Sequence, residues 1–309
     1  MSQVGETTGT ISFKPLQKTQ SQLNTLVRPS TTFFQDAWFR LRHHQRGMVG
    51  LAIVALMLLL AIFGPMLTHI SYSDQNLSQT YQAPSRAHIM GTDNLGRDIY
   101  VRLLYGARIS LSVGFVATLI SLGIGVVYGT ISGYYGGRTD DIMMRLVEVL
   151  MSVPDLLYVI LLTTVIKPGL IPIYIVLGAV GWLSMARLVR GEVLSLKERE
   201  YVLAARITGA RPSRILFRHL IPNAMGPILV AVTIGIPSAI FLESFLSFIG
   251  LGVSAPMASW GSMASEGITA LQSHPHLLFF PAAAISLTML GFNYFGDGLR
   301  DALDPRMRR

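Results

Sequence analysis

The feature that most restricts this chain is a series of long apolar runs without formal charge. Gly47–Leu67, Ile109–Gly137, Pro168–Ala186, residues 219–242 and Leu277–Phe295 contain no Asp, Glu, Lys or Arg. Lipid offers no partner to an open backbone, and a helix of about 20 apolar residues crosses it with every main-chain hydrogen bond made internally. Charged residues make up only 14% of the chain, against about a quarter in soluble domains. A sixth run, Ile142–Ile166, is apolar apart from Arg145, Glu148 and Asp155. It is expected to be the third span, with its first turns at the interface, where long side chains reach water. The expected fold is therefore an all-α polytopic membrane protein with six transmembrane helices. A five-span alternative would put the two ends of the chain on opposite sides.

The net charge of +8 does not form one basic stripe, so a nucleic-acid partner is not expected. The Lys and Arg instead flank the apolar runs. Six lie in the first 46 residues, eight between 187 and 218, and Arg300, Arg306, Arg308 and Arg309 close the chain. With six spans these groups share one side, which the positive-inside rule makes cytoplasmic. Residues 251–276 hold no Lys or Arg, as an outer loop should, whereas 71–108 carries Arg86, Arg97, Arg102 and Arg108, offset in part by Asp74, Asp93 and Asp98. The expected organisation is a cytoplasmic tail over 1–46, partly disordered, with a possible interfacial helix over 33–46. A first span over 47–70 and an external loop over 71–108 follow. A core over 109–300 contains a cytoplasmic loop at 187–218, and a cytoplasmic tail covers 301–309. No short apolar core with a small-residue cleavage site opens the sequence, so a secretory leader is not expected.

Several chemistries lack their residues. There is no cysteine for disulfide, thiolate or metal chemistry. No G-x-x-x-x-G-K-[ST], H-E-x-x-H or G-x-S-x-G is present, so the chain is not expected to be an enzyme or to hold a cofactor. The histidines, among them His43, His44, His274 and His276, read as interfacial groups. Gly125, Gly129 and Gly133 form overlapping G-x-x-x-G patterns, expected to pack the second span closely on a neighbour. Asp141 with Arg145, and Arg145 with Glu148, have helical spacing for ion pairs. Trp260 reads as an interfacial anchor. Glu243 falls deep in the fifth apolar region, where an acid either serves the translocation path or lies near the outer end and reaches water.

Residues 200–223 form a basic amphipathic segment between two spans. Ala204, Ala205 and Gly209 place three small residues within six positions, where another surface can approach the backbone closely. Residues 200–211 suffice for about three helical turns, and Pro212 should interrupt or restart the helix. Three further segments accompany it. They are Gly91-Thr-Asp-Asn-Leu-Gly-Arg-Asp98, Glu243-Ser-Phe-Leu-Ser-Phe-Ile-Gly-Leu-Gly252 with Ser259-Trp-Gly-Ser-Met263, and Phe292-Asn-Tyr-Phe-Gly-Asp-Gly-Leu-Arg-Asp-Ala-Leu-Asp-Pro305. Together, from about Arg40 onward, they resemble the C-type permease subunit of bacterial dipeptide/oligopeptide ABC importers.

That resemblance implies a type I importer fold in the bacterial inner membrane. It implies four kinds of partner: a second, homologous permease, two ATPase subunits that bind ATP and magnesium, an external solute-binding protein, and a peptide substrate. It implies ATPase coupling through Glu200, Ala204, Ala205, Arg206, Gly209 and Pro222, although Leu203 stands where the family motif has Glu. Gly91, Asp93, Arg97 and Asp98 would contact the binding protein, unless the segment is a self-satisfied turn. Relatives that carry nickel complexes or glutathione keep other substrates open. The rival reading is a stand-alone secondary transporter or channel with Glu243 as its ion carrier. It lacks a second half mirroring the first.

Overall fold

The computed structural model describes residues 33–166 and 169–303. The tail expected over 1–30 and the final basic residues from 304 onward lie outside them. Among the described residues, five helices are long and apolar enough to cross a membrane, and a bent pair makes six if its two helices count as one span. Helix α1 (Phe33–His43) lies within the expected interfacial segment. It buries Ala37 and Leu41 and leaves Trp38 and Phe39 exposed. His44 is extended, and its Nδ1 accepts the Gly47 N–H at 3.0 Å, which ends α1 and caps α2 (Gln45–Phe63).

Helix α3 (Ile99–Tyr135) is 37 residues long and begins ten residues before its uncharged run. Asp98 caps it by accepting the Val101 N–H, so Arg102 and Arg108 are helical, not part of an outer loop ending at 108. Arg108 reaches back to the carbonyls of Ala61 and Ile62 at the end of α2. Further along α3, Gly125, Gly129 and Gly133 meet α6 (Leu170–Lys197). A Cβ on Gly129 would stand 2.3 Å from the Ala186 carbonyl oxygen. The glycine pattern therefore packs helices within the subunit.

The third span is not one straight helix. Helices α4 (Gly137–Met151) and α5 (Asp155–Val165) meet at 80°. Pro154 lacks an N–H and holds the preceding residue out of helical conformation, while the Ser152 hydroxyl caps the Val149 carbonyl at 2.6 Å. The expected Asp141–Arg145 and Arg145–Glu148 pairs do not form: these side chains point outward from α4. Asp140, one residue earlier, is turned inward instead. It accepts two bonds of 2.6 Å from Arg190 of α6 and one of 2.5 Å from Ser132 of α3.

After α6 come α7 (Glu200–Ile207) and then α8, which runs from Pro212 to Phe248. A π turn at Leu216–Leu220 shifts the register of α8 ahead of Pro222, where an α-helical carbonyl would meet the proline ring. The segment 251–276 is not simply a loop, because it contains α9 (Trp260–Thr269). Trp260 is 1% exposed and donates its indole N–H to the Leu103 carbonyl. It is a buried wedge between α9 and α3, not an interfacial anchor. Helix α10 (His276–Leu303) returns along α2, with Gly50 on the backbone of Gly291, Tyr294 and Phe295. Helices α1 and α7 and the end of α10 mark one pole of the bundle. Helix α9 and residues 64–98 mark the other.

Candidate coupling and translocation site

Helix α7 hangs between α6 and α8 and is two turns long, not three. The Thr208 N–H bonds the Ala204 carbonyl and the Ala210 N–H bonds the Ala205 carbonyl. Gly209 sits between them at φ +78°, the left-handed stop that glycine adopts without penalty. Gly209 is therefore the terminator of α7, not a member of its small-residue face. One side of the helix is held by the bundle: Val202 is completely buried and Ala205 packs in the same cluster with Val189, Val193 and Ile215. Arg206 places its guanidinium 5.5 Å from the Tyr134 ring centroid, tying α7 to the end of α3.

The opposite side of α7 is bare. Leu203 is 40% and Ile207 87% exposed, and Glu200 and Ala204 are exposed beside them. Glu200, Leu203, Ala204 and Ile207 follow helical spacing and make one face. The Glu200 carboxylate sits in the first turn, where a helix favours negative charge. Pro222, in contrast, lies beyond the π turn and acts on the geometry of α8.

At the other pole, the residues expected to meet a binding protein turn inward. Asp93 accepts the N–H groups of Leu95 and Arg97, the Nε of Arg97 at 2.7 Å, and a short bond from Arg102. Arg102 also grips Glu266 of α9 with both terminal nitrogens, at 2.6 and 2.9 Å. Asp98 caps α3 and accepts from His88 at 2.8 Å. Gly91 is a tight corner at φ +83°. The side chains of Asp93, Arg97 and Asp98 are buried, so this segment is a self-satisfied turn that fastens α9 to α3. Arg102 and Glu266 complete it. The two lie 164 positions apart, and no local pattern links them.

Between α3, α6 and α8 lies a cavity of about 820 Å³. Its walls are apolar, with the hydroxyls of Thr118, Ser121, Ser184 and Ser238 interspersed and glycines 181, 226 and 235 giving it width. Asp155 reaches it from the break between α4 and α5, while Glu192 and Arg300 line it toward the α7 pole. Glu243 is not among the lining residues. It is fully buried against α3, toward the α9 end of α8, and accepts from Ser110 Oγ at 3.1 Å and Ser247 Oγ at 2.7 Å. The cavity acids that sequence reasoning passed over are Asp155 and Glu192. Asp155 counted only as a blemish on a span, and the proline beside it was the available signal.

Comparisons with known proteins bear on what this arrangement is. Residues 125–309 match the family model described as binding-protein-dependent transport system inner membrane component. Residues 32–84 match the N-terminal TM domain of oligopeptide transport permease C. The chain belongs to this permease family. The oligopeptide transport system permease protein OppC of Bacillus subtilis is 52% identical over 96% of this chain and 97% of its own length. The dipeptide transport system permease protein DppC of the same organism is 51% identical over 95% and 92%. OppC of Escherichia coli K12 is 43% identical over 90% and 92%.

A solved chain of the MetNI methionine ABC transporter, in its inward-facing conformations, aligns with this permease at a TM-score of 0.54 and 17% identity. The alignment covers 64% of this chain and 94% of that one. The likeness shows the type I importer fold of the transmembrane subunit. Family and helices together make the chain a multi-pass inner-membrane component of a binding-protein-dependent system. Such a permease works with ATPase and binding-protein subunits.

Proposed function

We propose that this permease passes di- or oligopeptides into the cytoplasm as one half of a heterodimer with a homologous permease, driven by two ATPase subunits. The α7 pole, with both chain termini, faces the cytoplasm, and the α9 pole faces outward to the binding protein. The observation that carries the reading is the bare face of α7. A residue as apolar as Ile207 stands almost free of the bundle on a two-turn helix that its other side rigidly anchors. Such a face is a partner surface. Seated in a groove of an ATPase subunit, α7 transmits closure of the ATPases to α6 and α8, between which it hangs. These two helices form two walls of the cavity, and their movement opens it alternately to each side. The named peptide substrates of OppC and DppC support the cargo assignment. Gly91, Asp93, Arg97 and Asp98 then serve the binding protein by shaping the outer turn from within.

The test is uptake by the complex reconstituted in liposomes with its ATPases, partner permease and binding protein. Peptide should accumulate only with ATP and binding protein present. Accumulation driven by an ion gradient in the permease alone would favour the stand-alone transporter. Ala204→Trp adds bulk on the bare face and should abolish association with the ATPase subunits while the bundle stays inserted. Normal assembly and uptake by that variant would refute the docking face.

A further inference from the structure

Glu243 carries a buried carboxyl group that does not line the cavity. Among the described residues no cation lies within ion-pair distance of it. Ala239 and Leu242 beside it on α8 line the cavity, and Glu243 itself is sealed between α8, α3 and α9. Two hydrogen-bond relays end on its carboxylate, and both start on the first turn of α9. In one, the Trp260 N–H donates to Ser110 Oγ at 3.2 Å, and Ser110 donates to Oε2 of Glu243 at 3.1 Å. In the other, the Ser262 N–H donates to Ser259 Oγ, Ser259 donates to Ser247 Oγ, each at 3.2 Å, and Ser247 donates to Oε1 at 2.7 Å. Both relays thus run from main-chain N–H groups of the first turn of α9 to the two oxygens of one carboxyl group. The first turn of α9 also lies directly on α8, since a Cβ on Gly261 would stand 2.4 Å from the Ser244 Cα.

We propose that Glu243 is a positioning residue, the latch through which the outer helix α9 moves as one body with the cavity-lining span α8 and the outer part of α3. Glu266, bound to Arg97 and Arg102, holds the same helix at its other end. With both ends held, a push on the outer face displaces α8 without bending the contact between them. The consequence for transport rests on the permease reading above. Under it, the binding protein docks on the α9 pole, and Glu243 carries that docking to the span that must move.

The experiment uses the assembled transporter in lipid nanodiscs with two readouts. Hydrogen exchange of Trp260–Met263 reports the latch, and ATP hydrolysis with and without the binding protein reports its use. Glu243→Gln keeps the shape but puts an amide N–H against a serine donor. It should leave assembly and basal hydrolysis intact and raise exchange in this turn by up to about ten-fold, as expected for losing a hydrogen bond. It should also cut stimulation by the binding protein several-fold. Ser247→Ala trims one relay and keeps the carboxyl group. It should shift both readouts in the same direction by less, and it carries the test if Glu243→Gln does not assemble. In the double variant the effects should not add, because both act through one network. Unchanged exchange, or faster exchange with full stimulation, would overturn the latch. A wild-type complex that the binding protein fails to stimulate would instead refute the permease reading, while the exchange readout would still judge the latch.

Discussion

Individual residues in this permease owe their roles to backbone geometry and burial more than to their type. Gly209 is the clearest case. The sequence offers it as a small residue on a helical face, yet its φ of +78° makes it the stop of α7. Gly209→Ala should destabilise the turn by about 1–2 kcal/mol, and Gly209→Asn by less, because Asn tolerates this conformation. Recovery of bound ATPase subunits on co-purification should follow the order Gly, Asn, Ala; equal recovery would show that the turn does not govern docking. Arg102 and Arg97 make a second comparison. Both hold Asp93 and Glu266, but Arg102 is the more deeply buried and makes two bonds to Glu266 where Arg97 makes one. Removing either arginine leaves Asp93 and Glu266 to the other one, and the loss grows with the burial of the group removed. Arg102→Ala should therefore lower the thermal midpoint of the purified protein more than Arg97→Ala.

Elements are set by how closely their neighbours approach. The pairing of α3 with α6 depends on a strip where backbone meets backbone, as at Gly129 and Ala186. Gly129→Val should prevent stable insertion, whereas Gly123→Val on the same helix should be tolerated, since a Cβ there meets nothing within 4 Å. Membrane-fraction yield and thermal stability distinguish the two, and equal tolerance would refute the packing argument. Helix α7 illustrates the opposite dependence. Eight residues do not hold a helix in water by propensity, so α7 exists because Val202 and Ala205 are fastened to the bundle. That anchorage makes a short helix stiff enough to transmit force.

At the scale of the whole molecule, the cavity joins parts that the chain keeps far apart. Asp155, Ser184, Ser238 and Arg300 line one space from four different segments. The chain contains no cysteine, so Asp155→Cys would carry the single thiol of this subunit. It should react with a water-soluble, membrane-impermeant maleimide, and slow to a fraction of that rate when the cavity closes. Failure to react in any state of the transporter cycle would place this position outside the path.

Some of this was legible before any fold was known. The uncharged runs predicted the helical membrane architecture, because lipid forces a backbone to satisfy itself locally, and local satisfaction is written in consecutive residues. The glycine spacing predicted a close helix contact for the same reason. The four motif segments identified the family, yet readings of single side chains led to several wrong placements. Trp260 is buried instead of interfacial, Glu243 is sealed against α3 outside the cavity lining, and Asp140 pairs with Arg190 while the pairs expected of Asp141 and Glu148 with Arg145 do not form. Each error concerns the direction of a side chain relative to an element far away in the chain. Helical periodicity sets angles within one helix only. Which of those angles meets protein, cavity or lipid was decided by tertiary packing, and with it the separation of the bare face of α7 from the sealed network beneath α9.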